Sequence, residues 1–318
     1  MAEVFAKVGA AGAIQGPSGR KHLMSAFTLA HLSDPHLPPL PVARLRDLAS
    51  KRALGYLNWT RNRHKYHHRE VLDALVADIR AQRPDHIAVT GDLVNLSLEA
   101  EFAPSRAWLE SVGGAEHVTV IPGNHDAYVR ATRHRAAEAW NDYLRGDEAG
   151  GNAAFPFLRR RGPVALIGLS SAVPTPPLMA TGRIGRAQLE ALERILVQIS
   201  AEQLFRVLLV HHPLQSSSRI KRLTDSRKLH ALLHRHGVEL VLHGHDHLHS
   251  TMWFDGPHGR IPAIGVPSAS SIAHRHYPAA AFNLFSIERE EGSWRCDQIV
   301  RGIDSELRVR KIRQTRLI

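Results

Sequence analysis

The sequence contains one cysteine, Cys296, among its 318 residues. A single thiol cannot form an internal disulfide or a thiolate metal cluster, so any metal ligands must be histidine, carboxylate or amide side chains. The chain also lacks a run of about 20 apolar residues, the length that a transmembrane helix needs. Its hydrophobic content of 43% and charged content of 22% are ordinary for a globular protein. These features argue against a disulfide-stapled secreted domain and against a membrane-spanning enzyme.

Acidic residues are outnumbered in this chain. Lysine and arginine total 41 against 30 aspartates and glutamates, which gives a net charge of +11 and a pI near 10.4. This excess favours anionic partners, whether phosphate substrates, nucleic acid or an anionic lipid surface. The basic residues cluster over residues 44–69, 159–161 and 308–316. Solvated surface and a partner site are both compatible with these clusters.

The N-terminal segment does not have the pattern of a secretory signal. Residues 1–23 have no basic start and only a weak apolar patch over residues 8–14. We therefore expect a flexible N-terminal extension over residues 1–24 and a single domain over residues 25–318, which no Pro-, Gly- or Ser-rich linker divides. A reducing cytoplasm fits the single cysteine best. Peripheral contact with the inner membrane and formation of a homo-oligomer stay open.

Short apolar runs alternate with amphipathic segments along the first two hundred and fifty residues. The runs predict buried strands over residues 27–33, 86–90, 118–122, 207–210 and 239–242. The amphipathic segments predict helices over residues 69–82, 98–112, 132–144, 186–199 and 225–236. This alternation indicates an α/β fold with ligands at the strand ends. Strand-like segments at residues 164–170, 261–266, 282–287 and 294–301 suggest a second sheet packed on the first.

A polar island follows each of the five runs. The islands are Asp34-Pro35-His36, Gly91-Asp92, Gly123-Asn124-His125-Asp126, His211-His212-Pro213 and Gly244-His245-Asp246-His247. Carboxylates, amides and imidazoles suit hard or borderline divalent metals, and the glycines permit tight turns. Asp34 and His36 are two residues apart, as are His245 and His247. On an extended backbone, both side chains of each pair should therefore point to the same side. Seven candidate ligands are too many for one four-coordinate metal and suit two metals that share a carboxylate.

In this order the islands resemble the calcineurin-like metallophosphoesterases, and the resemblance spans residues 29 to about 250. It implies a four-layered α/β/β/α sandwich with two divalent metal ions at the sheet edges. It assigns Asp34, His36, Asp92 and His247 to one metal, and Asp92, Asn124, His211 and His245 to the other, so that Asp92 bridges. Such ligands accept manganese, iron or zinc, and the supply of each metal decides between them.

The resemblance also implies a mechanism in which both metals activate a water in line with phosphorus. His125 adjoins the ligand Asn124 without being a ligand, so it is placed to protonate the departing alkoxide. Asp126 is assigned to orient the His125 imidazole, and a plain turn carboxylate is the equal alternative. The remaining histidines of interest are expected to be structural or at the surface: residues 64, 67, 68, 243, 249, 274 and 276.

Within the family, the intact His125 and the His211-His212-Pro213 island most resemble the bacterial class III cyclic nucleotide and glycerophosphodiester phosphodiesterases. The favoured function is therefore hydrolysis of a small phosphodiester. Hydrolases of UDP-2,3-diacylglucosamine typically have arginine at the position of His125. A membrane-surface hydrolase of a phospholipid or of such a pyrophosphate is thus the alternative. A nuclease and a non-catalytic binding module are further hypotheses, and the intact ligand set argues against the binding module.

Residues 38–68 form an insertion between the first island and the first long helix. Its apolar residues recur at helical spacing among basic neighbours, which predicts a basic amphipathic helix. These residues are Leu45, Leu48, Ala49, Ala53, Tyr56 and Leu57. A lid or side wall that gives the substrate phosphate cationic contacts is the favoured role. Ordinary packing and contact with a membrane surface are the two alternatives.

Overall fold

A computed structural model describes residues 26–148, 150–151 and 153–318, so the extension expected over residues 1–24 lies outside the described residues. The strands are β1 (Phe27–Leu32), β2 (His86–Val89), β3 (Val118–Val120), β4 (Phe157–Arg161), β5 (Val164–Gly168), β6 (Phe205–Leu209), β7 (Leu240–His243), β8 (Ser250–Gly256), β9 (Gly259–Gly265), β10 (Ala281–Glu290), β11 (Ser293–Ile303) and β12 (Val309–Arg316). The α-helices are α1 (Arg52–Arg61), α2 (Arg69–Gln82), α3 (Glu99–Val112), α4 (Arg135–Ala139), α5 (Arg186–Gln198) and α6 (Ser226–His236). Short 3-10 helices cover Leu45–Leu48, Arg63–Lys65, Arg130–Thr132, Asn141–Tyr143 and Ile199–Ala201.

The strands form two six-stranded sheets. The first has the order β12-β11-β10-β1-β2-β3, in which β1, β2 and β3 are parallel and the other strands pair antiparallel. The second has the order β4-β5-β6-β7-β9-β8, with four parallel central strands and two antiparallel edge strands. Neighbouring parallel strands end side by side, which is where such sheets collect ligands.

Alternating side chains on the central strands build a layered core. Leu29 of β1 packs between the sheets with Phe205 and Leu240 of the second sheet. The next residue, Ala30, packs on the opposite face under α2 and α3. On the far side of the second sheet, α5 and α6 form a separate core with β5, β6 and β7. The order helix, sheet, sheet, helix confirms the predicted α/β sandwich with four layers.

The sequence suggested that the late strands form the second sheet, but the structure divides them between the two sheets. β5 and β9 lie in that sheet, whereas β10 and β11 belong to the first. The register explains this result, because β10 pairs antiparallel with β1 and places Phe285 opposite Leu29 and Ile287 opposite Phe27. All four side chains are buried between the sheets. The sequence pattern also missed β4, β8 and β12, whose residues are partly exposed.

Four of the five predicted helices are confirmed, since α2, α3, α5 and α6 match the predicted ranges to within a residue or so. The helix predicted over residues 132–144 is wrong, because only α4 and two 3-10 turns form there. Tertiary contacts explain the break. The indole of Trp140 donates to Ser105 Oγ at 2.8 Å, and the Tyr143 hydroxyl donates to the Gly113 carbonyl at 3.0 Å. Burial of both aromatic rings against α3 outweighs local helix propensity.

Two of the three basic stretches have structural roles. The buried guanidinium of Arg159 donates to the carbonyls of Ala115, Val118 and Arg145 at 2.7–2.8 Å. Residues 308–316 form most of the edge strand β12, which is exposed along most of its length. Charged side chains on an exposed edge strand discourage pairing with another chain. None of the helices in the described ranges has the length and apolar content of a membrane span.

Candidate metal centre and active site

The ends of five strands bring the predicted ligands together at one edge of the sandwich. Asp34, His36, Asp92, Asn124, His211, His245 and His247 follow β1, β2, β3, β6 and β7, so both sheets contribute. Main-chain hydrogen bonds fix the strand ends relative to one another. The Asp34 amide donates to the Gly91 carbonyl at 3.0 Å, and the Gly244 amide donates to the His211 carbonyl at 3.1 Å.

One group of candidate ligands consists of Asp34, His36 and His247, whose ligand atoms lie within 4.8 Å of one another. Asp34 Oδ1 is 3.2 Å from His247 Nε2 and 3.8 Å from His36 Nε2. The two Nε2 atoms are 3.2 Å apart. Burial raises the pKa of Asp34, but the charge and hydrogen bond of His247 together with the charge of His211 hold that pKa below its ordinary value. Two imidazoles and a carboxylate in this arrangement suit a divalent cation.

A second group consists of Asp92, His211 and His245, and the amide oxygen of Asn124 lies among them. His211 Nε2 is 3.3 Å from Asp92 Oδ2 and 3.2 Å from Asn124 Oδ1. The other ring nitrogen of His211, Nδ1, donates to the Thr90 carbonyl at 2.6 Å. Burial lowers the pKa of His211, but the charge and hydrogen bond of Asp92, the charge of Asp34 and the bond to the Thr90 carbonyl together raise it to about 10.

The same carboxylate oxygen faces both groups. Asp92 Oδ2 lies 3.3 Å from His211 Nε2 in the second group and 3.8 Å from His36 Nε2 in the first. This placement fits the bridging role expected for Asp92, in which one carboxylate is shared by two metals.

The ligand atoms are unbalanced as a hydrogen-bonded set, which indicates cation binding. With Nδ1 committed to the Thr90 carbonyl, His211 turns Nε2 toward oxygens of Asp92 and Asn124, so that a proton or a metal ion is needed between these atoms. The Nε2 atoms of His36 and His247 face each other at 3.2 Å beside Asp34 Oδ1, and His245 Nδ1 faces Asn124 Oδ1 at 2.9 Å. A cation between the facing oxygens and nitrogens would relieve their mutual repulsion. The donor set therefore fits two divalent metals.

Backbone strain is concentrated at these ligands. Positive φ angles occur at Asp34 (52°), His36 (38°), Asp92 (56°), His245 (73°) and His247 (55°). Side chains with a Cβ rarely adopt this left-handed region, and such strain is typical of functional sites. The expectation that each i, i+2 pair sits on an extended backbone is therefore wrong. The strands end before these residues, and turns aim the side chains at the site.

His125 lies beside the ligands with one ring nitrogen tied to the main chain. Its Nδ1 donates to the Asn95 carbonyl at 2.5 Å, so in the neutral ring Nε2 is the acceptor nitrogen. A ligand atom of His125 lies within 4.8 Å of ligand atoms of His36 and Asp92. Burial lowers the pKa of His125 to about 4. The ring is therefore held by the Asn95 carbonyl next to the metal ligands.

The contacts of Asp126 differ from the expected role of orienting His125. Its carboxylate accepts hydrogen bonds from the backbone amides of Asp92 (2.8 Å), Val94 (3.0 Å) and Gly123 (2.8 Å). These bonds join the turn after β2 to the turn after β3. The contacts match the alternative of a turn carboxylate, and Asp126 acts on the site by fixing the loops that carry Asp92 and Asn124.

The insertion forms one wall of a cavity of about 750 Å³ above the metal ligands. Its helix α1 packs closely on the island loops, because Gly55 leaves room for Leu96 and Tyr128, which would lie within 2.6 Å of a Cβ at that position. Arg52 Nε donates to the Leu96 carbonyl at 2.9 Å. Trp59 is the only buried residue of α1. The geometry matches the side-wall interpretation of the insertion.

The cavity contains two residues that the sequence did not single out as functional. Arg63 lies with Nη1 3.4 Å from His125 Nε2. His67 is buried, with its ring centroid 5.1 Å from that of His36 and its Nδ1 2.8 Å from Ser270 Oγ. Both belong to the insertion, whose basic character was noted. One imidazole among 22 histidines and one guanidinium in a basic stretch carry no distinguishing spacing.

The comparisons with known proteins agree with this geometry. The sequence model of the calcineurin-like phosphoesterases matches residues 27–249, more than half of the chain. The chain belongs to the calcineurin-like phosphoesterase family. Members of this family depend on two metal ions, and the Asp/His groups are the candidate ligands for them in this phosphoesterase. No curated protein matches the sequence significantly.

Solved structures share the fold at low sequence identity. A dimetal phosphatase from Danio rerio is 14% identical with a TM-score of 0.59, and the match covers 92% of this chain and 99% of that one. The purple acid phosphatase PPD1 from yellow lupin is 13% identical with a TM-score of 0.60. The match covers 87% of this chain and 52% of the lupin enzyme, so this chain corresponds to about half of that protein. These likenesses support the fold of a phosphoric ester hydrolase.

Proposed function

We propose that this phosphoesterase hydrolyses a small phosphodiester of the cyclic nucleotide or glycerophosphodiester type. The observation that carries the proposal is the position of His125, whose Nε2 lies in the cavity between the candidate ligands and the Arg63 guanidinium. A proton donor at this position serves a poor alkoxide leaving group, as phosphate esters of alcohols have. The volume of about 750 Å³ accommodates organic groups on both sides of a phosphate.

The residues divide the work of the reaction between them. One metal would be held by Asp34, His36 and His247, the other by Asn124, His211 and His245, with Asp92 shared. When bound, the metals supply Lewis-acid stabilisation of the phosphoryl oxygens and activation of a water.

Proton transfer to the leaving group falls to His125. As the oxygen of water bonds to phosphorus and loses a proton to solvent, the bond to the leaving alkoxide breaks. His125, after taking up a proton from solvent at Nε2, delivers that proton to the alkoxide. The Asn95 carbonyl holds the ring in the orientation that this transfer requires. The guanidinium of Arg63 lies at the same nitrogen, where it can bind an oxygen of the phosphoryl group.

A turnover screen of the Mn²⁺-loaded protein tests the proposal. The substrates are p-nitrophenyl phosphate, bis-p-nitrophenyl phosphate, a 3′,5′-cyclic nucleotide, glycerophosphocholine and a nucleotide-sugar pyrophosphate. We expect kcat/KM for at least one diester to exceed that for the monoester by about tenfold or more. Faster hydrolysis of the monoester or of the pyrophosphate would contradict the assignment, and metal-free protein is the blank.

A further inference from the structure

Exposed apolar side chains are concentrated at the mouth of the cavity. Thirteen large hydrophobic side chains are exposed in the described part of the chain, and five of them line this one cavity. These five, here called the apolar rim, are Leu54, Leu57, Leu178, Met179 and Ile220. The most exposed is Leu178, at 82%. Apolar side chains gathered around a polar site mark a surface that binds an apolar partner.

Hydrogen bonds fix the three segments that carry the apolar rim against one another. The Ala180 amide donates to the Ile220 carbonyl at 2.8 Å, which joins the two loops. Lys51 Nζ donates to Thr175 Oγ1 at 3.1 Å, which joins the insertion to the nearer loop. Leu178 has a φ of 65°, a conformation that a bulky side chain rarely adopts. The exposed apolar tips are therefore held in place by the structure rather than left on free loops.

Cationic side chains accompany the apolar rim. The cavity is lined by Lys51, Arg61, Arg63, Lys221 and Arg275, and its carboxylates are Asp92 and Asp246. Within the described residues, none of these five cations forms an ion pair with a carboxylate. Lys51 instead lies over the Tyr128 ring, 4.1 Å from its centroid. Unpaired cations next to exposed leucine and isoleucine side chains complement an anionic amphiphile.

We infer that the mouth of the cavity is a docking surface for an anionic phospholipid bilayer, on which a glycerophospholipid directs its phosphodiester toward the metal ligands. The acyl chains would contact the apolar rim while the unpaired cations contact lipid phosphates. This inference deepens the proposed function, since it specifies that the glycerophosphodiester carries acyl chains. Binding of the protein to vesicles can be measured without any turnover of substrate.

Vesicle sedimentation tests the inference. Wild-type protein is mixed with phosphatidylglycerol/phosphatidylcholine vesicles or with pure phosphatidylcholine vesicles, and the bound fraction is measured. The variant Leu178→Asp/Ile220→Asp is compared with Val197→Asp/Ile312→Asp. The control pair is also exposed, at 56% and 59%, lies outside the cavity lining and changes the charge equally. We expect wild type and control to bind the anionic vesicles, and the rim variant to lose about tenfold or more in partition coefficient.

Several outcomes would overturn the inference. They are failure of wild type to bind anionic vesicles, equal loss in both double variants, and a change of oligomeric state caused by the rim variant, which would identify a second copy of the chain as the occupant. If the rim variant fails to fold, Leu178→Ser/Ile220→Ser is compared in the same way with Val197→Ser/Ile312→Ser. Turnover of bis-p-nitrophenyl phosphate is measured in parallel. Turnover without vesicle binding refutes only the lipid surface, and vesicle binding without turnover refutes only the phosphodiesterase.

Discussion

At the scale of single residues, His125 is the proposed proton donor. Its Nδ1 is committed to the Asn95 carbonyl and its backbone amide donates to Asp92 Oδ1 at 2.7 Å. We expect His125→Ala to retain both metals and to lose about 10²–10⁴-fold in kcat for alkyl diesters. The loss should be smaller for p-nitrophenyl esters, whose leaving group needs less protonation. Metal analysis and kcat measured with both substrate types check this prediction.

The exposed His276 provides a matched control for that substitution, since His276→Ala removes an imidazole outside the cavity lining. It should leave kcat within about twofold. Equal losses in His125→Ala for p-nitrophenyl and alkyl leaving groups would rule out the acid role.

Arg63 supplies the second prediction at this scale. Its guanidinium lies 3.4 Å from the His125 ring, and burial lowers its pKa. Among the described residues it has no carboxylate partner, so a phosphoryl oxygen is its natural counter-charge. Arg63→Met should raise KM for bis-p-nitrophenyl phosphate and the Kd for inorganic phosphate by about tenfold. Arg63→Lys should lose less.

The control for Arg63 is Arg46→Met, which removes an exposed charge of the same insertion outside the cavity lining. Calorimetry with inorganic phosphate and metal-loaded protein measures the effect on binding directly. If both arginine variants bind phosphate as wild type does, Arg63 has no role in substrate binding.

Sequence reasoning identified the clustered ligand residues because their chemical types recur at strand ends. Asp34, Asp92 and His211 each follow an apolar run, so their convergence follows from the sheet topology. It could not identify Arg63 or His67, because their position depends on how a loop folds back over the site. It also assigned Asp126 to orient His125, whereas the Asp126 carboxylate accepts hydrogen bonds from three backbone amides.

At the scale of elements, helix α1 of the insertion packs closely on Leu96 and Tyr128 at Gly55. A Cβ at Gly55 would lie 2.5 Å from Leu96 Cδ2 and 2.6 Å from the Tyr128 hydroxyl. Alanine gains about 1 kcal/mol of helix propensity over glycine, but overpacking costs about 1–3 kcal/mol. We therefore expect Gly55→Ala to displace α1, to lower the thermal midpoint and to raise KM, because α1 walls the cavity.

The measurements for Gly55→Ala are a thermal melt and steady-state kinetics. Thr60→Ala changes an exposed residue of the same helix and should leave both nearly unaltered. A stabilised Gly55→Ala protein with unchanged KM would show that α1 tolerates the side chain and does not shape the cavity.

Helices with a continuous apolar face were predictable, as the match of α2 to residues 69–82 illustrates. Helix α1 was less predictable, because Leu54 and Leu57 are exposed at the cavity mouth and Trp59 alone is buried. The apolar pattern there reflects the lining of a cavity as well as packing. The helix predicted around Trp140 was wrong because buried aromatic rings make tertiary contacts, which local periodicity does not report.

At the scale of the whole molecule, the candidate metal ligands come from both sheets. Asp34 and Asp92 follow strands of the first sheet, and His211 and His247 follow strands of the second. Contacts within each ligand group therefore cross between the sheets. His247 Nε2 meets Asp34 Oδ1 at 3.2 Å, and His211 Nε2 meets Asp92 Oδ2 at 3.3 Å. Metals bound at these groups would link the two halves of the sandwich.

This arrangement predicts that metal binding stabilises the entire fold. A ligand present at a hundredfold excess over its Kd adds about 2.7 kcal/mol per site, provided the unfolded chain does not bind it. At about 2–4 °C per kcal/mol for a chain of this size, Mn²⁺ should raise the thermal midpoint by several degrees in one cooperative transition. Asp92→Ala removes the carboxylate that faces both groups, so it should lose most of the Mn²⁺-dependent shift along with metal occupancy. A melt with and without chelator on both proteins measures the difference. Two metals retained in Asp92→Ala would refute the shared carboxylate, because the remaining ligands would then hold both ions without it.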